Sequence, residues 1–212
     1  DPAAVEARRR AGRWLLEQEG RRVAWWIRFL TRFIPEPRRL ALDPDLIGWP
    51  WVEGTFSWVE PTSYALMALK RLRPELPARE TESRIEEAER LLFDRVCPGG
   101  GWNYGNSVVF GEALWPYPDT TALALLALAD RRESPAVSEG IRTLDAMMAT
   151  HDSVLALGLA LRAFRTLGVA SAALRVRLED RLAARTGGET RGLAWAALAL
   201  SDGEPVARSA RA

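Results

Sequence analysis

Apolar residues recur with helical spacing along almost all of this 212-residue chain, and no segment shows a convincing strand alternation. The spacing predicts helices over these ranges: 2–19, 22–34, 61–73, 78–96, 119–132, 134–149, 152–167, 170–185 and 190–201. Two irregular segments, 35–60 and 97–118, interrupt the helices and are rich in Pro, Gly and Trp. Long ordered loops in compact domains are often functional, so these segments are candidates for a functional site.

The predicted helices are of two kinds. Segment 122–129 is apolar all round, and 154–161 and 192–200 are similar, which is typical of helices buried on most sides. Segment 78–96 instead carries one apolar stripe among Glu and Arg residues. An inner ring of apolar helices within an outer ring of amphipathic ones predicts an all-α fold, an α/α toroid or solenoid segment of helical hairpins. We expect one domain over 1–212.

Two stretches of the chain look alike, which predicts a repeat protein. Arg13 precedes Trp25 by the same 12 residues by which Arg90 precedes Trp102. Later in each stretch, an acid, a small hydroxyl residue and an Ala/Leu run follow, beginning at Glu60 and at Asp119.

Aligning the predicted inner helices on their Ala/Leu pairs places an acid at one equivalent position, occupied by Glu60, Asp119, Asp152 and Glu189. A carboxylate at a helix start can cap free amide groups and complement the helix dipole, which contributes about 1 kcal/mol. Alternatively, these helix starts all point at one end of a central cavity, where an acid could do chemistry.

Charge and composition exclude several classes of function. Lys and Arg number 29 against 28 Asp and Glu, a net charge of +1, so nucleic acid is not expected as a partner. Cys97 is the only cysteine, which excludes an intrachain disulfide and a Cys-based zinc cluster. No apolar run reaches the roughly 18 residues of a transmembrane helix. The chain is expected to be cytoplasmic or membrane-peripheral and to carry no cofactor.

Three elements resemble the superfamily of terpenoid cyclases and protein prenyltransferases, over roughly residues 1–130. Gln18, Gly20 and Trp25 resemble the glutamine–tryptophan motif of squalene-type cyclases, and 99–105 (Gly-Gly-Gly-Trp-Asn-Tyr-Gly) resembles the Gly-Gly-aromatic turn of the superfamily. The third element is the helix start at Asp119. The resemblance implies an α/α toroid. Because a full toroid has more hairpins than this chain, we expect an incomplete or trimmed version.

The chain departs from the functional residues that the resemblance implies. Protein prenyltransferases bind zinc through Asp, Cys and His, but Thr121 stands at the Cys position and His151 is misplaced, so no metal is expected. Squalene-type cyclases protonate an alkene with a central Asp, which Asp119 matches. Its acidic neighbours are replaced by Tyr117 and Thr120. Asp119 is therefore a candidate general acid that lacks the neighbouring acids of the cyclase motif.

Aromatic residues near the inner-helix starts are the candidate ligand-binding residues, since aromatic faces stabilise carbocations and quaternary amines. They are Trp49, Trp51, Trp58, Trp102, Tyr104, Trp115 and Tyr117. Alternatively, Trp residues in the turns wedge between outer helices and brace the repeat, an interpretation that we favour for Trp14, Trp25 and Trp102.

Segment 21–34 combines an apolar helical face, which carries two Trp and two Phe, with flanking Arg residues. This pattern is typical of an interfacial membrane helix and predicts peripheral membrane contact. The same stripe could instead be core or dock on a protein partner.

Two functions follow from these patterns. The favoured one is a non-catalytic toroid domain whose Trp-rich rim binds a protein, a membrane or an apolar ligand. The alternative is an enzyme acting on a polyprenyl or terpenoid substrate, with Asp119 as general acid. In both, loops 49–58 and 102–117 should form one aromatic surface at the same end of the inner helices.

Overall fold

The computed structural model describes residues 2–31, 33, 42–184 and 189–201, which are mostly helical. The helices are α1 (Pro2–Glu17), α2 (Trp25–Thr31), α3 (Val59–Leu72), α4 (Ala78–Asp94), α5 (Pro118–Ala127), α6 (Pro135–Met148), α7 (Val154–Leu167), α8 (Ala172–Ala183) and α9 (Thr190–Ser201), with 3-10 turns at Arg73–Glu75 and Ala129–Arg131. The prediction of an all-α fold is confirmed. Part of the predicted 22–34 helix, of the 35–60 loop and of the 170–185 helix lies outside the described residues.

One short hairpin lies within the predicted irregular segment 97–118. Strands β1 (Val108–Val109) and β2 (Glu112–Ala113) pair antiparallel. Phe110 and Gly111 form the turn, with φ angles of 52° and 85°, the left-handed conformation that tight hairpin turns require. Strands of two residues are too short for the period-2 pattern that would have predicted them.

The helices pack in two layers. The inner helices α3, α5, α7 and α9 pack side by side in chain order. In the outer layer α4 packs on α3, α6 on α5 and α8 on α7, while α1 covers α3 and α4. The apolar helix α5 is buried at eight of its ten positions, whereas α4 buries only one stripe. The predicted division into apolar and amphipathic helices corresponds to these two layers.

Helices α7 and α9 approach each other at reciprocal glycines. A Cβ atom on Gly158 would lie 2.9 Å from the backbone nitrogen of Ala196, and one on Gly192 would lie 3.3 Å from that of Leu155. The absence of side chains at these two positions allows the two backbones to pack directly against each other.

The predicted inner-helix starts at 61, 119, 152 and 190 lie close to the observed ones at 59, 118, 154 and 190. The capping interpretation is nevertheless wrong in detail. The N-cap of α7 is Ser153, whose hydroxyl accepts from the Ala156 amide at 3.1 Å, while Asp152 pairs with Arg177 and Arg181 of α8. No side chain caps α5, so Asp119 only complements the dipole from the first turn.

The repeat register read from the sequence is also wrong, because the structural equivalent of Trp102 is Trp49 and not Trp25. The indole Nε1 of Trp49 donates to the Leu15 carbonyl at 2.9 Å, and that of Trp102 donates to the Leu92 carbonyl at 2.6 Å. Both indoles are buried and fasten a turn to the end of an outer helix. The bracing interpretation therefore describes Trp102 and extends to Trp49.

A threonine on the following inner helix completes each of these turns. The backbone amide of Trp49 donates to Thr62 Oγ1, and that of Trp102 donates to Thr121 Oγ1, both at 3.0 Å. The residue before each Trp is a glycine, and a Cβ there would collide with the same threonine hydroxyl. Trp14 and Trp25 are both exposed, so the prediction that they brace the repeat is wrong.

Candidate functional site

The two aromatic loops meet at the start of the inner helices. The amide of Val59, the first residue of α3, donates to the carbonyl of Tyr104 in the second loop at 2.9 Å. The loop that carries Trp58 into α3 is thus joined to the loop that leads into α5. The structure brings both loops to one rim, as two loops that each enter one of two parallel neighbouring helices should.

A pocket of about 270 Å³ lies between the two loops. We call it the rim pocket; it is lined by Trp58, Asn103, Tyr104, Gly105, Asn106, Leu114, Trp115 and Tyr117. The exposed fractions of its Trp side chains run from 40% for Trp58 to 83% for Trp115. A large apolar area is therefore accessible at the one place where the loops converge.

Asn103, one of the residues that line the rim pocket, is held by hydrogen bonds within its own loop. Its amide nitrogen donates to the Asn106 carbonyl at 2.6 Å, and its amide oxygen accepts from the Gly105 amide at 3.0 Å. Gly105 lies against the indole of Trp58, since a Cβ there would be 3.2 Å from Trp58 Cε3. Both polar ends of the Asn103 side chain are thus already engaged within the loop.

Tyr104 connects the rim pocket to the acid at the start of α5. Its ring lies beside that of Tyr117, with centroids 5.2 Å apart, and its hydroxyl donates to Asp119 Oδ2 at 3.3 Å. Burial raises the pKa of the Tyr104 phenol, and the carboxylates of Asp119 and Glu60 raise it further. Asp119 thus accepts a hydrogen bond from a residue that lines the rim pocket, but it does not line the pocket itself.

Glu60 is the second residue of α3 and is only 3% exposed. Burial raises the pKa of its carboxyl group, an effect opposed by the nearby Arg191 guanidinium. Glu60 Oε1 forms an ion pair with Arg191, the second residue of α9. This pair joins the first and last inner helices, which also meet where the rings of Tyr64 and Trp195 stack with centroids 6.3 Å apart.

The second residue of the fourth inner helix is a base, which the sequence alignment did not indicate. The second residues of the four inner helices are Glu60, Asp119, Leu155 and Arg191, so the fourth helix presents a base and not the aligned acid Glu189. A cation in the first turn of a helix is disfavoured by the dipole. Arg191 at the start of an otherwise apolar helix was the sequence signal that could have identified this pair.

The predicted ligand-binding residues separate into three groups. Trp58, Tyr104, Trp115 and Tyr117 line the rim pocket. Trp51 is 56% exposed but does not line it. Trp49 and Trp102 are buried in the repeat turns, where a ligand cannot reach them without disrupting the fold.

A second, larger groove shares its wall with the rim pocket. It has a volume of about 1060 Å³ and runs between the segment 113–117 and helix α6. Leu114, Trp115 and Tyr117 line both spaces. His151 also lines the groove, with Nδ1 2.9 Å from the Met147 carbonyl. Glu139 and Arg142 line this groove and pair with each other.

Several apolar side chains of the segment 21–34 are exposed. Five of them have exposed fractions between 52% and 78%: Trp25, Trp26, Phe29, Leu30 and Phe33. The core interpretation is therefore wrong for these residues, and contact with a membrane or a protein partner remains the prediction. Positions 32 and 34 lie outside the described residues. None of the described helices has the length and apolar character needed to cross a membrane.

Neither Thr121 nor Cys97 is placed where it could reach a ligand. The Thr121 hydroxyl is bonded to the backbone of Trp102, and Cys97 is buried, which raises the pKa of its thiol. Among the residues that the structure describes, no three His, Cys, Asp or Glu side chains converge as a metal site would require.

No protein-family model matches this chain, and no curated protein matches it with significance. Because a fold by itself does not define a function, the indications of function lie in the geometry and chemistry of the rim pocket.

Proposed function

We propose that this chain is a small repeat domain, resembling those of terpenoid cyclases and protein prenyltransferases, that binds an apolar ligand at the rim pocket without catalysing a reaction on it. The inner helices would form a compact toroid. Support for this arrangement comes from their packing in chain order and from the Glu60–Arg191 and Tyr64–Trp195 contacts between the first and last of them.

One observation carries the proposal: four aromatic side chains from two separate loops surround one pocket and remain partly exposed. Concave sites lined by aromatic groups with few polar ones are typical of small-molecule pockets. Covering exposed apolar surface contributes about 25 cal/mol per Å², although only part of that appears as affinity. Two loops that are joined by a backbone hydrogen bond hold the walls in place before a ligand arrives.

The environment of the acids supports binding over catalysis. A general acid must hold a proton that it can give to the substrate. Asp119 accepts a hydrogen bond from Tyr104, and Glu60 is buried and paired with Arg191 of α9, so neither acid is directed at a ligand in the pocket. Neither carboxylate lines the rim pocket.

Binding of a neutral fluorescent probe, N-phenyl-1-naphthylamine, tests the proposal. Trp115→Ala should weaken the affinity at least about tenfold, equivalent to about 1.4 kcal/mol. Trp51→Ala is the matched control, because Trp51 is an exposed Trp of the first loop that lies outside the pocket, so its removal should leave the affinity unchanged.

Equal probe affinity in Trp115→Ala and wild type, with both proteins folded, would contradict the proposal. A probe affinity that falls only in Trp25→Ala would place apolar binding on α2 and contradict it equally. The enzyme alternative would replace it if Asp119→Asn kept probe binding but abolished turnover of a polyprenyl substrate.

A further inference from the structure

We propose that the ligand group held in the rim pocket is a quaternary ammonium group, such as a trimethylammonium head. This inference rests on the proposed function, because it names the chemistry of a ligand at the same pocket. The pocket is lined by the aromatic side chains of Trp58, Tyr104, Trp115 and Tyr117. The nearby negative charge comes from the carboxylates of Asp119 and Glu60.

Aromatic walls suit a cation of this kind. A cation over the face of Trp or Tyr gains roughly 0.5–2 kcal/mol, and pockets with several such faces recognise quaternary ammonium ligands. Here two Trp and two Tyr rings surround a space of about 270 Å³. Tyr104 and Tyr117 already pack against each other, with ring centroids 5.2 Å apart, so the positions of two of the four rings are fixed before a ligand binds.

The charges behind the walls favour a positive ligand over a neutral one. Glu60 and Arg191 neutralise each other as an ion pair, and Asp119 has the Tyr104 hydroxyl as its hydrogen-bond donor. These three charged groups therefore sum to one negative charge. The raised pKa of Tyr104 has the same origin in part, since both carboxylates oppose the formation of a phenolate there. The same field disfavours an anion.

The pocket lining favours a cation that has no N–H groups. No Asp, Glu, Lys or Arg is among its lining residues, and the amide of Asn103 is occupied within its own loop. A primary ammonium would give up part of its hydration and find no carboxylate among the lining residues to replace it, which costs free energy. A quaternary ammonium carries no donor to leave unsatisfied and needs only aromatic faces and a nearby negative field.

The test is a calorimetric titration with tetramethylammonium chloride and with choline, compared with 3,3-dimethyl-1-butanol, the neutral carbon isostere of choline. Sodium chloride at matched concentration is the ionic control. We expect choline to bind at least about tenfold more tightly than the isostere. Trp115→Leu should lose about tenfold in choline affinity, and Asp119→Asn severalfold, while Trp51→Leu should be unchanged.

Vesicle sedimentation distinguishes two sources of the same group. Binding to phosphatidylcholine vesicles that Trp115→Leu abolishes would identify a lipid headgroup, and choline binding without vesicle binding would identify a soluble ligand. Either result supports the inference.

Equal affinity for choline and its neutral isostere would overturn the inference but leave an apolar rim pocket standing. Choline affinity that Trp115→Leu does not change would also overturn it. If N-phenyl-1-naphthylamine affinity did not depend on Trp115 either, the proposed function would fail as well.

Discussion

Trp49 and Trp102 make the same set of bonds in two successive hairpins. Each indole Nε1 donates to a carbonyl near the end of an outer helix, and each backbone amide donates to a threonine hydroxyl of the next inner helix. The repeat unit is therefore an outer-helix end, a Trp turn and an inner-helix start. The segment between α1 and Trp49 is an addition to the first unit.

Replacement of Trp102 by Phe should destabilise the fold by about 2–3 kcal/mol, because it leaves the Leu92 carbonyl without its donor and leaves part of a buried site empty. Urea denaturation of Trp51→Phe gives the control, with an expected change within about 0.5 kcal/mol since Trp51 is exposed. Similar losses in the two variants would show that the Trp turn does not brace the repeat.

Thr121→Val should cost about 1–3 kcal/mol, because valine keeps the shape but leaves the buried Trp102 amide without an acceptor. Thr62→Val should behave alike through the Trp49 amide. Thr166→Val is the control, as its exposed hydroxyl only donates back to the Arg162 carbonyl one turn earlier. An unchanged unfolding free energy in both test variants would contradict the equivalence of the two turns.

Gly158→Ala should destabilise by about 1–3 kcal/mol, despite the better helix propensity of alanine, because the new methyl group meets the backbone of α9. At Gly99 a Cβ would meet nothing within 4 Å, so Gly99→Ala should stay within about 0.5 kcal/mol of wild type. Thermal unfolding measures both. Stabilisation by Gly158→Ala would mean that α9 does not pack against α7 as described.

Glu60 predicts an unusual pH dependence. Burial raises the pKa of its carboxyl in the folded protein, so the folded state binds this proton more tightly than the unfolded chain does. Between the ordinary Glu pKa of about 4.3 and the raised folded value, stability should therefore fall as pH rises. Relative to Glu60→Gln, the wild type should gain stability on acidification through this window, while Arg191 stays charged throughout. If the wild type instead lost stability relative to the variant, the ion pair would outweigh burial.

Much of the fold could be predicted because the spacing of apolar residues along a helix indicates which of its faces are buried. Helix α5 is apolar on all sides because it is covered on most of them, and that is visible in the sequence. The register of the repeats was not predictable, because Trp25 and Trp49 both follow a glycine-containing stretch after α1. Trp49 is distinguished by its burial and by its hydrogen bonds to Leu15 and Thr62, whereas Trp25 is exposed.

The meeting of the two aromatic loops was predictable, but which side chains line the pocket between them was not. Two loops that enter neighbouring parallel helices must reach the same end of those helices. This geometry predicts that Trp58 and Trp115 lie near each other, and both line the rim pocket. Which aromatic side chains are exposed depends on side-chain packing, so Trp49 and Trp51 could not be separated from pocket residues. The Glu60–Arg191 pair joins residues from the two ends of the helical array, a contact that no local pattern records.

The measurement that tests the central claim most directly is the titration of ¹⁵N-labelled protein with choline, followed through the indole N–H resonances of its nine Trp residues. If the rim pocket is the binding site, the Trp58 and Trp115 signals should shift together with one saturable affinity. The signals of Trp49, Trp51 and Trp102 should stay in place. Shifts confined to Trp25 and Trp26, or equal small shifts at every exposed indole, would contradict the account.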